Sequence, residues 1–137
     1  MQADVPTLRA TNLLASLSMA GVMVVVGWGM RREGLQLWAG ALAVHAAGYL
    51  LLALRGQIDD RLSILAGNAL ISLALSLLLA AVLRFYEKSP RWVLLLAPPA
   101  LLLAALATQL DHYGARVAIS GAMYALQAIA VVMALFR

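Results

Sequence analysis

Five long runs of apolar residues, separated by short charged stretches, dominate the sequence, and none of the runs contains Lys, Arg, Asp or Glu. They cover residues 10–30, 35–54, 62–83, 92–110 and 117–136. Each is close to the roughly 20 residues that a helix, rising about 1.5 Å per residue, needs to cross about 30 Å of hydrocarbon. The pattern predicts an all-α integral membrane protein, a bundle of five transmembrane helices with short connections.

The connections between the runs are about four to eight residues long, so we expect neighbouring helices to be antiparallel. Residues 1–137 should therefore form a single transmembrane domain without an extramembrane domain. The first run is longer than the roughly 7–15 residues of a signal-peptide core, and we interpret it as a retained helix. A membrane β-barrel is excluded, because the runs lack the alternation of apolar and polar residues that its strands require.

Composition agrees with a lipid environment. The chain is 64% hydrophobic and 12% charged, whereas a soluble domain is about 45–50% apolar and about 25% charged. The net charge is +4, but Lys and Arg stand at the ends of the apolar runs rather than in a block, so we expect no nucleic-acid partner. Cysteine is absent from the sequence, which excludes disulfides and zinc–thiolate sites.

The positive charges also predict an orientation, because cytoplasmic connections of membrane proteins carry an excess of Lys and Arg. With the N-terminus outside, six basic residues would be cytoplasmic: Arg31, Arg32, Arg84, Lys88, Arg91 and Arg137. Four would be outside: Arg9, Arg55, Arg61 and Arg116. We therefore expect an external N-terminus and a cytoplasmic C-terminus.

Polar residues at similar depths interrupt three of the runs. His45, Asn68 and Gln127 should lie roughly 15, 10 and 16 Å from the outer ends of their helices, at about 1.5 Å per residue. Tyr49 and Tyr124 lie within one turn of His45 and Gln127. These five residues form a candidate intramembrane pocket for a small hydrophobic or membrane-borne ligand. The alternative is a purely structural layer of interhelical hydrogen bonds.

Catalytic and cofactor signatures are missing from the sequence. It has no GxSxG, HExxH, Walker or GxGxxG motif and no carboxylate pair within the runs, so we expect no enzymatic activity from this chain and no metal site. A b-type haem usually needs two axial ligands at matched depth. Because His112 falls in the fourth connection, His45 could ligate haem only with its own mate across a dimer, and we expect no cofactor.

A more specific pattern runs from Leu51 to Phe85. It reads LLALRGQI at 51–58, then Asp60, LSI at 62–64, GNAL at 67–70 and finally Arg84-Phe85. Over these roughly 35 residues the chain resembles the multi-pass N-terminal membrane region found ahead of GGDEF diguanylate cyclase domains. Asp59 departs from that pattern, in which proline is common at this position.

The resemblance implies a membrane-embedded sensory or anchoring module of a cyclic-di-GMP signalling receptor in the bacterial inner membrane. Such a module would act as a homodimer and pass a signal to a cytoplasmic output domain. The GGDEF signature itself does not occur in the 137 residues, so we expect the output domain to be missing, removed or supplied separately. Two alternatives remain open at this stage: a small transporter or channel subunit, and a structural subunit of a membrane complex.

Small residues predict where helices approach closely. Gly121 and Ala125 lie one turn apart on the fifth run, with Ser120 beside them. In lipid, helix association depends on close packing of such residues. This face could therefore form a homodimer contact through the fifth helix, or it could pack on another helix of the same chain.

The charge distribution yields a test of orientation. A reporter fused after Arg137 should behave as cytoplasmic, because the C-terminus lies on the side with six of the ten basic residues. A second fusion in the 111–116 connection should behave as external and serves as the control. A reporter that is active only outside the cytoplasm when it follows Arg137 would contradict the orientation.

Overall fold

The computed structural model describes residues 33–136 and a few positions near the N-terminus. Those positions are 7, 11–12, 14–15, 17–19, 21–22 and 25, and all of them are helical. The remainder of the first predicted helix, 10–30, lies outside the described residues. The architecture below is that of residues 33–136.

Four helices make up this part of the chain. They are α1 (Glu33–Ala53), α2 (Asp60–Phe85), α3 (Trp92–Ala107) and α4 (Tyr113–Leu135). The described residues contain no β-strand, so the all-α prediction is confirmed. Helices α1, α2 and α4 begin before the predicted apolar runs, because hydropathy marks the apolar portion of a helix and not its polar, hydrogen-bonded ends.

Three of these helices are long and apolar enough to cross a membrane. They are Gly34–Ala53, Asp60–Phe85 and Tyr113–Leu135. Helix α3 is apolar but has 16 residues, which corresponds to about 24 Å at 1.5 Å per residue, less than the hydrocarbon thickness of about 30 Å. The structure therefore shows a membrane-type helical bundle, while the full set of five spans is not shown.

Helix α3 ends at Ala107, three residues before the end of the predicted run. Beyond it the chain makes turns, in which the Gln109 N–H donates to the carbonyl of Leu106 (3.1 Å) and the His112 N–H donates to that of Gln109 (3.1 Å). The helix continues through Pro98 and Pro99.

Helix α2 is the centre of the bundle, since it packs against α1, α3 and α4. Most of its buried side chains are small: Ser63, Gly67, Ser72, Ala74, Ser76, Ala80 and Ala81. Large apolar side chains instead face outwards, and Val93 and Leu101 on α3 are 82% and 61% exposed. This distribution suits lipid, where apolar surface needs no burial and close helix packing favours small residues.

The contact between α1 and α2 follows a seven-residue repeat of small residues. On α1 these are Gly34, Ala41 and Gly48, and on α2 they are Gly67, Ala74 and Ala81. We call this set the small-residue seam. A seven-residue repeat keeps the contact face aligned along two helices with a slight left-handed supercoil.

Both ends of the small-residue seam are tightly packed. A methyl group placed on Gly48 would lie 3.0 Å from the carbonyl oxygen of Gly67 and 2.8 Å from Cγ1 of Ile71. At the other end, a methyl group on Gly34 would lie 3.2 Å from the carbonyl oxygen of Ala81. These contacts place the start of α1 beside the end of α2, so the two helices form an antiparallel hairpin.

The turn between α1 and α2 is held by local hydrogen bonds. Gly56 has φ +85°, which favours glycine. The Asp60 carboxylate accepts from the Gly56 N–H (3.0 Å) and pairs with Arg55 Nε (3.5 Å). Asp59 caps α2 by accepting from the N–H groups of Arg61 and Leu62. The charged residues of this turn thus have structural roles.

The close crossing gives a direct test of what holds the hairpin together. Gly48→Ala should destabilise the folded chain by about 1–3 kcal/mol, because the added methyl group overpacks the seam. The measurement is reversible unfolding in detergent micelles or nanodiscs, followed by circular dichroism.

Gly40→Ala is the matched control on the same helix. No atom of the described residues lies within 4 Å of a methyl group at that position, so the substitution should be neutral or stabilise by up to about 1 kcal/mol through helix propensity. Equal stabilities of the two variants would contradict the assignment of Gly48 to the seam.

Candidate functional site

A polar cluster ties α4 to α2 in the interior of the bundle. The Gln127 amide nitrogen donates to the carbonyl of Ser72 (2.9 Å) and to Oγ of Ser76 (3.0 Å). Its amide oxygen accepts from Oγ of Ser72 (2.8 Å). All three side chains are buried, and Gln127 is 7% exposed. We call these residues the Gln127 cluster.

A second polar contact joins the same two helices about one turn away. The Tyr124 hydroxyl donates to Oδ1 of Asn68 (2.7 Å) and lies 3.2 Å from the backbone carbonyl of the same residue. The Asn68 amide nitrogen donates to the carbonyl of Ile64 within α2 (2.7 Å). The Asn68 side chain therefore forms one hydrogen bond to α4 and one within its own helix.

His45 and Tyr49 pair with each other on α1. Their rings meet edge to face, with centroids 4.8 Å apart.

The predicted pocket residues are therefore distributed over three groups. Asn68 and Tyr124 are hydrogen-bonded to each other, His45 contacts Tyr49 edge to face, and Gln127 belongs to a separate cluster. The predicted pocket did not include Ser72 and Ser76, which are the polar partners of Gln127. The sequence could have indicated both serines. A polar residue recurs every four positions at Asn68, Ser72 and Ser76, which places all three on one face of α2.

The chemistry of these groups is that of neutral hydrogen bonding. Serine, asparagine, glutamine and tyrosine supply donors and acceptors that are largely used within the protein. In the part of the chain that the structure describes, no group of three or more His, Cys, Asp or Glu side chains could hold a metal ion. His112, excluded above as a partner of His45, is exposed in the connection before α4. The arrangement suits helix association and the binding of a neutral ligand.

The Gly121–Ala125 face of α4 is open. Both residues are exposed, and a methyl group on Gly121 would meet nothing within 4 Å. The neighbouring Ser120 hydroxyl donates to its own helix, at the carbonyl of Arg116 (2.8 Å). Among residues 33–136, therefore, this face does not pack on another helix of the chain.

Searches against family models, curated proteins and solved structures found no match for this chain.

The Gln127 cluster predicts a measurable coupling between two helices. In a double-mutant cycle, Ser72→Ala and Gln127→Leu should show a coupling energy of about 0.6–1.7 kcal/mol, the range found for interhelical hydrogen bonds in membranes. The cycle is measured by reversible unfolding in nanodiscs.

Ser120→Ala combined with Gln127→Leu is the control pair. Ser120 bonds only within its own helix turn, so this pair should be additive. Additivity of the Ser72 and Gln127 changes as well would contradict the cluster.

Proposed function

We propose that this chain is a membrane-embedded sensory module of a bacterial cyclic-di-GMP signalling receptor, which passes a signal to a cytoplasmic output domain. One observation carries the proposal: α4 is attached to α2 through a few specific hydrogen bonds, whereas α1 is attached through the small-residue seam. The bundle thus combines a closely packed hairpin with a helix that can be repositioned.

The two kinds of contact respond differently to a change of position. Displacing α1 would separate backbones that approach to within van der Waals contact along several turns, with loss of many dispersion contacts. Displacing α4 exchanges hydrogen bonds that are worth about 0.6 kcal/mol each on average in a membrane. A ligand that binds better to one position of α4 could therefore raise the population of that position.

We propose that a signal leaves the membrane at the C-terminal end of α4. The Tyr86 hydroxyl, in the connection after α2, donates to the carbonyl of Leu135 in the last turn of α4 (3.0 Å). That end belongs to the side with the larger number of basic residues, which we propose to be the cytoplasm. A movement of α4 would change this contact first.

The complete arrangement that we propose has five transmembrane helices in the bacterial inner membrane, with the N-terminus outside. The run 10–30 would supply the first span and α3 a short fourth one. A homodimer would form through the Gly121–Ala125 face, which suits close helix approach. The ligand would be a small hydrophobic or membrane-borne molecule.

A second candidate function is that of a structural subunit of a membrane complex. It is supported by the same open face of α4. In that case the face would bind a different protein. The mass of the chain in nanodiscs distinguishes the two, since a homodimer is expected for the sensory module. A chain that stays monomeric at micromolar concentration favours the structural subunit.

The sensory role can be tested with a fused output domain. A diguanylate cyclase domain joined after Arg137 should change its activity by at least about threefold when Gln127 is replaced by Leu. The reason is that Leu removes the three hydrogen bonds of Gln127, and the loss of even one of them, about 0.6 kcal/mol, shifts the population of α4 positions by about that factor. The measurement is cyclic-di-GMP formed per molecule of fusion protein.

Val132→Leu is the control, because Val132 is half exposed on the outer surface of the same helix. It should leave the cyclase activity unchanged. If Gln127→Leu leaves the activity unchanged in a folded and dimeric fusion, the sensory proposal is wrong. In the natural gene, a cyclase domain encoded after the codon for Arg137 would support it independently.

A further inference from the structure

A cavity of about 410 Å³ lies between α2, α3 and α4. Its volume is within the range of roughly 300–1,000 Å³ that is usual for small-molecule sites. Leucine, alanine, methionine and proline side chains form most of its wall, with Met123 and Leu126 on α4 and Leu79 on α2. The polar side chains in the wall are Ser76 and Gln127. The cavity is therefore a nonpolar cleft, open on the surface of the bundle, that contains part of the Gln127 cluster.

The hydrogen bonds of that cluster leave one acceptor position and one donor unused. Both amide hydrogens of Gln127 are donated, to the carbonyl of Ser72 and to Oγ of Ser76, while its oxygen accepts one bond from Ser72. An amide oxygen accepts two bonds, and a hydroxyl that accepts one still carries its own hydrogen. Among the hydrogen bonds of residues 33–136, one acceptor position at Gln127 and the donor of Ser76 are thus available.

The α3 side of the cavity contains the proline pair's surroundings. Pro98 and Pro99 have no N–H, so the carbonyls of Leu94 and Leu95 cannot receive the usual bond from four residues further on. Both leucines and Pro98 line the cavity.

We propose that this cavity binds a neutral, lipid-soluble alcohol or phenol, with the hydroxyl group at Ser76 and Gln127 and the apolar body along α3. A hydroxyl can donate to the Gln127 oxygen and accept from Ser76 at the same time. A ketone or an ether could only accept. An anionic ligand would lack a counter-charge, because none of the described residues that line the cavity is basic. The binding itself does not require the sensory role proposed above.

A second groove on the bundle offers an internal comparison. It lies between α2 and α3, has a volume of about 570 Å³, and is lined by alanine, leucine and proline, including Leu70, Pro99 and Leu103. Nothing in its side-chain lining can recognise a hydroxyl group. Lipid chains should occupy it whatever their end group.

The test uses the full chain in nanodiscs and a 1-dodecanol derivative that carries a photoreactive diazirine. Its methyl ether, which cannot donate a hydrogen bond, is the comparison probe. After illumination, mass spectrometry locates the labelled residues. The alcohol should label Leu79, Leu126 and Met123 in a saturable way, roughly three- to tenfold more than the ether, the factor expected for one hydrogen bond. Labelling of the second groove should be equal for both probes.

Variants separate recognition from general lipid contact. Ser76→Ala removes a donor from which both probes can accept, so it should weaken the saturable labelling by both probes and keep the preference for the alcohol. Gln127→Leu removes the oxygen to which only the alcohol can donate, so it should reduce labelling by the alcohol to about that by the ether. Ser120 lies outside the cavity, and Ser120→Ala should leave the labelling by both probes unchanged. If the two probes label the cavity equally in the unmodified chain, or if Gln127→Leu keeps the preference while the protein remains folded, the cavity holds ordinary lipid chains and the proposal is wrong.

Discussion

The close approach of α1 and α2 at Gly48 and Gly67 is the constraint on which the rest of this structure depends. In lipid, two apolar helices gain little from removing their surface from the solvent, so they associate where backbones can come close. Here the gap between a carbonyl of one helix and the Cα of the other leaves no room for a methyl group. Because α2 also carries the contacts to α3 and α4, its position against α1 fixes where those helices can pack.

The same constraint explains the distribution of side chains across α2. One face is reserved for the small residues of the seam, so polar contacts occupy a different face, at Asn68, Ser72 and Ser76. That second face meets Tyr124 and Gln127 of α4. Hydrogen bonds in a membrane are individually modest but depend on direction. They therefore define the register of α4 on α2 without holding it as closely as α1 is held, which is the physical basis of the sensory proposal.

Helix α3 differs from the other helices in its two prolines and in its shorter length. Its prolines remove two backbone donors, and its 16 residues leave it shorter than a full membrane crossing. A helix of this kind packs less completely on its neighbours, and cavities remain on both of its sides. The cavity next to Gln127 differs from the other because polar groups with unused valences reach it. Ligand binding and the attachment of α4 would thus involve the same glutamine.

The sequence by itself determined that this is a helical membrane-type protein, and where most of the helices lie. It could do so because lipid requires every spanning backbone group to bond within its own helix, which makes long uncharged runs unambiguous. From their depth it also marked His45, Asn68 and Gln127, with Tyr49 and Tyr124 one turn away, as candidates for an intramembrane pocket. Only the tertiary structure decided that Gln127 pairs with Ser72 and Ser76, and that the Gly121–Ala125 face stays open among residues 33–136. Periodicity shows which residues share a face of a helix, but the rotation of that helix and the neighbour it meets depend on packing among all the helices at once.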